Sequence, residues 1–182
     1  MKIINPNYIY IDDIFQENIA IAFSDKIEAI DSIENLKIEY PDAEIIEGDK
    51  NSVLYPGFIN THVHLEFSAN KTTLKYGDFM PWLDSVIINR DDLLQECNNE
   101  MMLKACNEML LSGVTTFGAI SSFGTELEVC EKTPQKVIFF NELIGSNMAY
   151  VDALYNDFLE RLTASKQSKE KGIIPAIAIH SP

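Results

Sequence analysis

Histidine is scarce in this 182-residue chain: His62, His64 and His180 are the whole complement. Cysteine is equally sparse. Cys97, Cys106 and Cys130 form an odd count without short paired spacings. That excludes a disulfide framework or a zinc knuckle and reads as reduced thiols of a cytoplasmic protein. Basic residues are outnumbered, 14 against 28 acidic, for a formal net charge of -14. Such a field repels phosphate backbones and anionic lipid, so neither nucleic acid nor a membrane surface is an expected partner. No run of about 18 apolar residues occurs, so no membrane span is expected. The start, MKIINPNYIYIDD, has acids and a proline where a signal peptide needs an apolar run. There is no internal repeat and no low-complexity segment. What remains is an ordinary globular composition, 46% hydrophobic and 23% charged, long enough for one core.

What is present is concentrated in one stretch, Pro56-Gly57-Phe58-Ile59-Asn60-Thr61-His62-Val63-His64-Leu65-Glu66-Phe67. It opens with a turn, runs through an apolar pair and ends in two histidines one residue apart. Side chains alternate along a strand, so His62 and His64 face the same way and offer two imidazoles to one divalent ion. An unliganded pair on a strand edge is the plainer reading of a lone His-x-His. Two of only three histidines falling in one element after a turn favours the metal. Neutral imidazoles suit zinc first, with iron or manganese as alternatives. Val63 between them is expected to face a helix-covered core. Glu66 keeps the facing of the histidines if the strand continues, and could then hydrogen-bond a substrate; otherwise it is a solvated loop acid.

Around this stretch the texture changes. Residues 1–55 read as a small β-subdomain, with strands over 8–11, 17–23, 27–30, 44–47 and 53–55. A helix over 33–40 is capped by Ser32 and stopped by Pro41. Residues 56–182 alternate strands with longer helical patterns, the sign of βα units and a parallel sheet. Strands are expected over 58–64, 114–119, 137–143 and 173–179, and helices over 79–88, 91–111, 125–131 and 150–168. Asp91 and Asp92 would sit at the positive end of the second of these helices. Its Leu94, Cys97, Met101, Ala105 and Met109 recur at helical spacing, which makes them core rather than a metal box. On the last helix Val151, Leu154, Tyr155, Phe158 and Leu159 form the apolar face. Trp82 shares a face with Phe79 and Val86; a core role is the plainer reading and a cover over a pocket the functional one.

The fold class is therefore α/β, a partial TIM-type (β/α) barrel of four strands behind a small β-subdomain. Active sites of such barrels lie at the C-terminal strand ends. His62, His64, Ser121, Asn141, Glu142 and His180 all fall at such ends. A catalytic zinc generally takes three protein ligands, and His180 is open as the third, as a substrate contact or as a structural residue. Four strands alone would leave an unpaired edge and an exposed apolar face. The rest of the fold would come from further sequence or from another chain, a second copy included.

The run PGFINTHVHLEFS resembles the first barrel strand of the amidohydrolase superfamily of metal-dependent hydrolases and deaminases. The longer pattern, HVHLEFSANK, YGDFMPWLDSVI, SGVTTFGAIS, VIFFNEL and AIHSP, is similar to its aminofutalosine deaminase branch. The likeness runs from about Ile3 to Pro182. It implies one divalent ion held by His62 and His64, with the remaining ligands, a general-base glutamate and a further histidine on later strands beyond Pro182. It implies that His180 faces the substrate rather than the ion, with Glu66, Asn141, Glu142 and Trp82 as further substrate-side candidates. The implied activity is hydrolytic deamination of a small purine nucleoside derivative, foremost 6-amino-6-deoxyfutalosine to futalosine and ammonia in menaquinone biosynthesis. The alternatives on the same scaffold are adenosine-type or guanine deamination, dechlorination and amide hydrolysis. An inactive fragment, lacking the second half of the site, is the remaining reading.

Overall fold

Asp12 and Asp13 both hold positive φ, 50° and 62°, the backbone of a two-residue hairpin turn that suits right-twisted strands. This turn folds β2 (Tyr8–Ile11) against β3 (Ile14–Glu17) in antiparallel register. Asn18, also at positive φ, then breaks the chain before β4 (Ala20–Phe23), so the single strand expected over 17–23 is two. The computed structural model describes residues 1–145 and 148–180, and these divide into two compact units, Met1–Pro56 and Gly57–Pro182.

In the first unit β1 (Lys2–Asn5), which the sequence reading does not anticipate, lies centrally between β4 and β6 (Glu44–Glu47), with β5 (Ile27–Asp31) beyond β4. A second sheet orders β3, β2 and β7 (Val53–Leu54). Helix α1 (Ile33–Glu39) starts where the Ser32 hydroxyl accepts from the Asn35 amide, a normal N-cap. It packs Leu36 with Ile3, Ala20 and Ala22 into the unit's core.

The second unit is a four-stranded, all-parallel sheet. Its strands are β8 (Phe58–Val63), β9 (Val114–Ser121), β10 (Lys136–Ile144) and β11 (Ile173–His180), in that spatial order. Helices follow the strands: α2 (Phe79–Glu96) and α3 (Asn99–Leu111) after β8, the short α4 (Leu127–Cys130) after β9, and α5 (Val151–Gln167) after β10. Phe117, Ala119, Val137 and Phe139 of the middle strands are fully buried with Cys106, Met102, Leu65, Val129 and Cys130. Val63 packs against this cluster. The outer strands differ. Ile59 on β8 is 64% exposed, and Ile177 and Ile179 on β11 are 55% and 78% exposed.

The break between the two long helices falls later than the sequence suggests. Asp91 and Asp92 lie inside α2, and α3 begins after Asn98, whose side chain accepts from the Met101 amide. An acid pair resembles a helix start, but the cap with a free backbone donor to satisfy is Asn98. The buried positions shift accordingly to Leu93, Met102 and Cys106. On α5 the buried residues are Phe158, Leu162 and Ser165, while Val151, Tyr155 and Leu159 are exposed.

Candidate active site

Strand β8 carries an irregularity just before the histidines. Asn60 stands opposite Phe117 and Val63 opposite Ala119, so β8 spends three steps where β9 spends two. Gly118 sits at this point, where a Cβ would lie 2.6 Å from the Thr61 carbonyl oxygen. Glycine is thus required for the close approach, and the bulge re-aims the strand end. The His62 and His64 rings lie side by side, with centroids 5.1 Å apart.

The strand does not continue to Glu66. After His64 the chain enters a 3-10 turn, Leu65–Phe67, whose Leu65 is buried in the core. The Cys97 thiol and the Ser68 hydroxyl both donate to the Leu65 carbonyl. The turn tucks the Glu66 carboxylate back to 3.2 Å from His64 Nδ1, with Glu66 only 2% exposed. It is therefore not a solvated loop acid. The hydrogen bond to Glu66 raises the His64 pKa; burial opposes it, and the charges of Glu66, Glu142 and Glu126 add to the rise. With Nδ1 turned to a carboxylate, Nε2 is the nitrogen left to face outward, the arrangement that orients metal-ligating histidines.

At the end of β10 the alternation of a strand separates two neighbours. Glu142 points to the rim. Asn141, which the sequence suggests as its companion there, points the opposite way, fully buried beneath α5, where its Nδ2 donates to Ser165 Oγ at 2.9 Å and to the Ala176 carbonyl at 3.1 Å. Successive side chains cannot share a face, so Asn141 is not on the substrate side. The Glu142 carboxylate accepts from Ser122 Oγ at 2.6 Å and lies 2.9 Å from His180 Nδ1. Arg161 of α5 binds the ends of two strands together, with Nη1 donating to the Ser121 carbonyl and Nη2 to that of Glu142.

Segment 53–182 matches the profile of the Amidohydrolase family. The chain belongs to the amidohydrolase family. Over its full length it is 49% identical to an aminodeoxyfutalosine deaminase of a Nitratiruptor species, of which it covers 45%. It is 34% identical over 168 residues to an adenosine deaminase of Helicobacter pylori, with 91% of this chain and 40% of that protein covered. Among solved structures, H. pylori aminofutalosine deaminase in complex with methylthio-coformycin matches with a TM-score of 0.87 at 31% identity, covering 100% of this chain and 44% of that one. A zinc-bound adenosine deaminase of Xanthomonas campestris, 18% identical, shares the fold at a TM-score of 0.77, over 97% of this chain and 42% of that one. The chain thus spans less than half the length of these relatives, and its four parallel strands form part of an amidohydrolase barrel wall.

The donor set fits the metal dependence of the amidohydrolase family in part. His62 and His64 are adjacent and His64 is backed by a buried carboxylate, but among the described residues no three His, Cys, Asp or Glu side chains form a group able to hold an ion. His180 does not complete such a group with the first two. Trp82 stands apart from these bonds: it is half-buried on α2, with its ring 5.7 Å from that of Phe79. A cavity of about 350 Å³ opens beside Glu66, lined by Leu94, Met102, Phe123 and Thr125 among others.

One acid escapes sequence reasoning altogether. Glu126, fully buried between β9 and α4, has its pKa pushed up to about 7, by burial first and by the charge of Glu66 second. Its Oε1 and Oε2 of Glu66 are buried without a hydrogen-bond partner. Nothing in the local sequence marks Glu126; it is carried inward by the tight exit from β9, where Ser121 Oγ accepts from the Gly124 amide.

Proposed function

We propose that the protein carrying this chain is a metal-dependent deaminase of the 6-amino group of a purine nucleoside derivative, with 6-amino-6-deoxyfutalosine as its substrate and futalosine and ammonia as products. This places it in menaquinone biosynthesis, in the cytoplasm. The observation that carries the reading is the His62–His64 pair at a parallel-strand end, backed by buried Glu66, in a chain 49% identical to an aminodeoxyfutalosine deaminase. His62 and His64 would hold the ion, and zinc suits two neutral imidazoles. The ion would supply a hydroxide nucleophile near neutral pH by lowering the pKa of a water. Glu66 keeps Nδ1 of His64 engaged so that Nε2 faces the ion's position. His180, exposed at the end of β11, contacts the nucleoside, and Arg161 ties the ends of β9 and β10 beside it.

The broader assignment, deamination of an adenosine-derived nucleoside, is favoured by relatives that include adenosine, 5'-deoxyadenosine and 5-methylthioadenosine/S-adenosylhomocysteine deaminases. The deciding experiment measures ammonia release by the zinc-loaded protein from 6-amino-6-deoxyfutalosine, adenosine, 5'-deoxyadenosine, 5'-methylthioadenosine and guanine. Preference for 6-amino-6-deoxyfutalosine by kcat/KM is expected. A higher kcat/KM for any of the others, or no release from any, overturns the assignment. His62→Ala and His64→Ala are each expected to remove most bound metal by elemental analysis; unchanged content in the double variant would refute the ligand assignment.

A further inference from the structure

The sequence offers Glu142 as a substrate contact, but its oxygens are already engaged. One accepts from Ser122 Oγ at 2.6 Å and the other faces His180 Nδ1 at 2.9 Å. The carboxylate itself is only 3% exposed, whereas the His180 side chain is 56% exposed. The register explains the reach: His180 pairs with Ile144, two residues beyond Glu142 on the same face of β10, so the carboxylate leans along its own strand and across to the next. Its backbone is anchored as well, by Arg161 Nη2 on the Glu142 carbonyl at 2.9 Å.

A carboxylate accepts hydrogen bonds and does not donate them, so the ring nitrogen that faces it carries the hydrogen. In a neutral imidazole the other nitrogen is then an acceptor. We propose that Glu142 is a positioning residue: together with Ser122 it holds His180 as the Nδ1–H tautomer and thereby presents Nε2 at the rim as an acceptor for an N–H or O–H of the nucleoside. The same arrangement recurs at the other edge of the sheet, where buried Glu66 faces Nδ1 of His64. Two histidines on opposite outer strands are thus set by two buried glutamates, one for an ion and one for a donor group of the substrate. The second half of this statement rests on the reading of His180 as a substrate contact.

The tautomer can be read directly. A two-bond proton–nitrogen correlation spectrum of the full chain, recorded well above the ordinary histidine pKa of about 6.5, contains three imidazoles, and His180→Gln assigns the relevant one. His180 is expected to carry its proton on Nδ1 in the unaltered protein and to move towards the Nε2–H form in Glu142→Ala, with a smaller drift in Ser122→Ala. An Nε2–H ring in the unaltered protein overturns the proposal without reliance on any variant's folding, and so does an Nδ1–H ring that persists in Glu142→Ala. With 6-amino-6-deoxyfutalosine as probe, Glu142→Ala should lose kcat/KM to within about twofold of His180→Ala, the double variant should lose no more, and metal content should hold. If His180→Ala keeps full kcat/KM while the tautomer is as stated, the substrate-contact reading fails and the positioning by Glu142 stands. If only His180→Ala is impaired, the positioning role is wrong.

Discussion

The two middle strands and the two edge strands of the parallel sheet differ in how far they are covered. On β9 and β10, Phe117, Ala119, Val137 and Phe139 lose all contact with solvent, whereas Ile59 of β8 and Ile177 and Ile179 of β11 remain more than half exposed. The site chemistry divides in the same way. Every histidine stands at the end of an outer strand. Ser122 and Glu142, which brace His180, come from the ends of the middle pair, and Arg161 clamps the Ser121 and Glu142 carbonyls. The supports thus come from the buried middle strands, and the histidines they brace stand on the two edge strands of the sheet. A catalytic constellation benefits from that separation, because a ligand-facing side chain is only as well placed as the residues behind it.

The largest effect should come from the contrast in packing itself. Phe139→Ala is expected to cost about 3–5 kcal/mol, as for a large buried aromatic truncated in a close-packed core. Ile177→Ala, from an exposed position, should cost less than about 0.5 kcal/mol. Urea unfolding of both variants measures the gap, and equal losses would mean that the outer strand is covered in solution. Next comes Glu126. Its folded pKa, about 7 against an ordinary 4.5, means that the folded state holds a proton which the unfolded state has released over that interval. Stability should therefore fall as pH rises from about 4.5 to about 7 and level off above, by at most about 3 kcal/mol. Glu126→Gln should lose this component of the fall in the metal-free chain, and parallel pH profiles for the two proteins would rule out the shift. The smallest effect tests the brace on the metal side. Glu66→Gln should weaken zinc binding about 10- to 100-fold, as loss of a carboxylate behind a ligating histidine does. Competition with a chromophoric chelator reads the affinity, and an unchanged affinity would leave Glu66 without a role towards the ion.

Much of this architecture is legible in the residues because its signals are local. Alternation of apolar strands with helical spacing marks the βα units, and His62-Val63-His64 with its preceding turn marks the first strand end. The misreadings have physical causes. Asp91 and Asp92 mimic a helix start, yet the backbone donors that need capping belong to α3 and are met by Asn98. Asn18 shows nothing in a hydrophobicity pattern that would announce a positive φ. The place of Asn141 could have been found, since strand alternation allows either it or Glu142 on the rim but not both. Glu66 could not have been settled: whether an acid two residues past a strand histidine points out or folds back depends on a 3-10 turn held by Leu65 and Cys97, contacts far apart in sequence. Glu126 is hidden because the tight exit turn from β9 that carries it inward has no signature in the hydrophobic pattern.

The Cys97 thiol, donating to the Leu65 carbonyl at the joint between α2 and α3, has a use beyond packing. Cys106 and Cys130 are buried while Cys97 is partly accessible, and burial raises its pKa so that it reacts slowly while the turn is closed. A thiol reagent applied to the native protein should therefore modify Cys97 before Cys106 and Cys130, and its rate reads how well that joint shields the thiol.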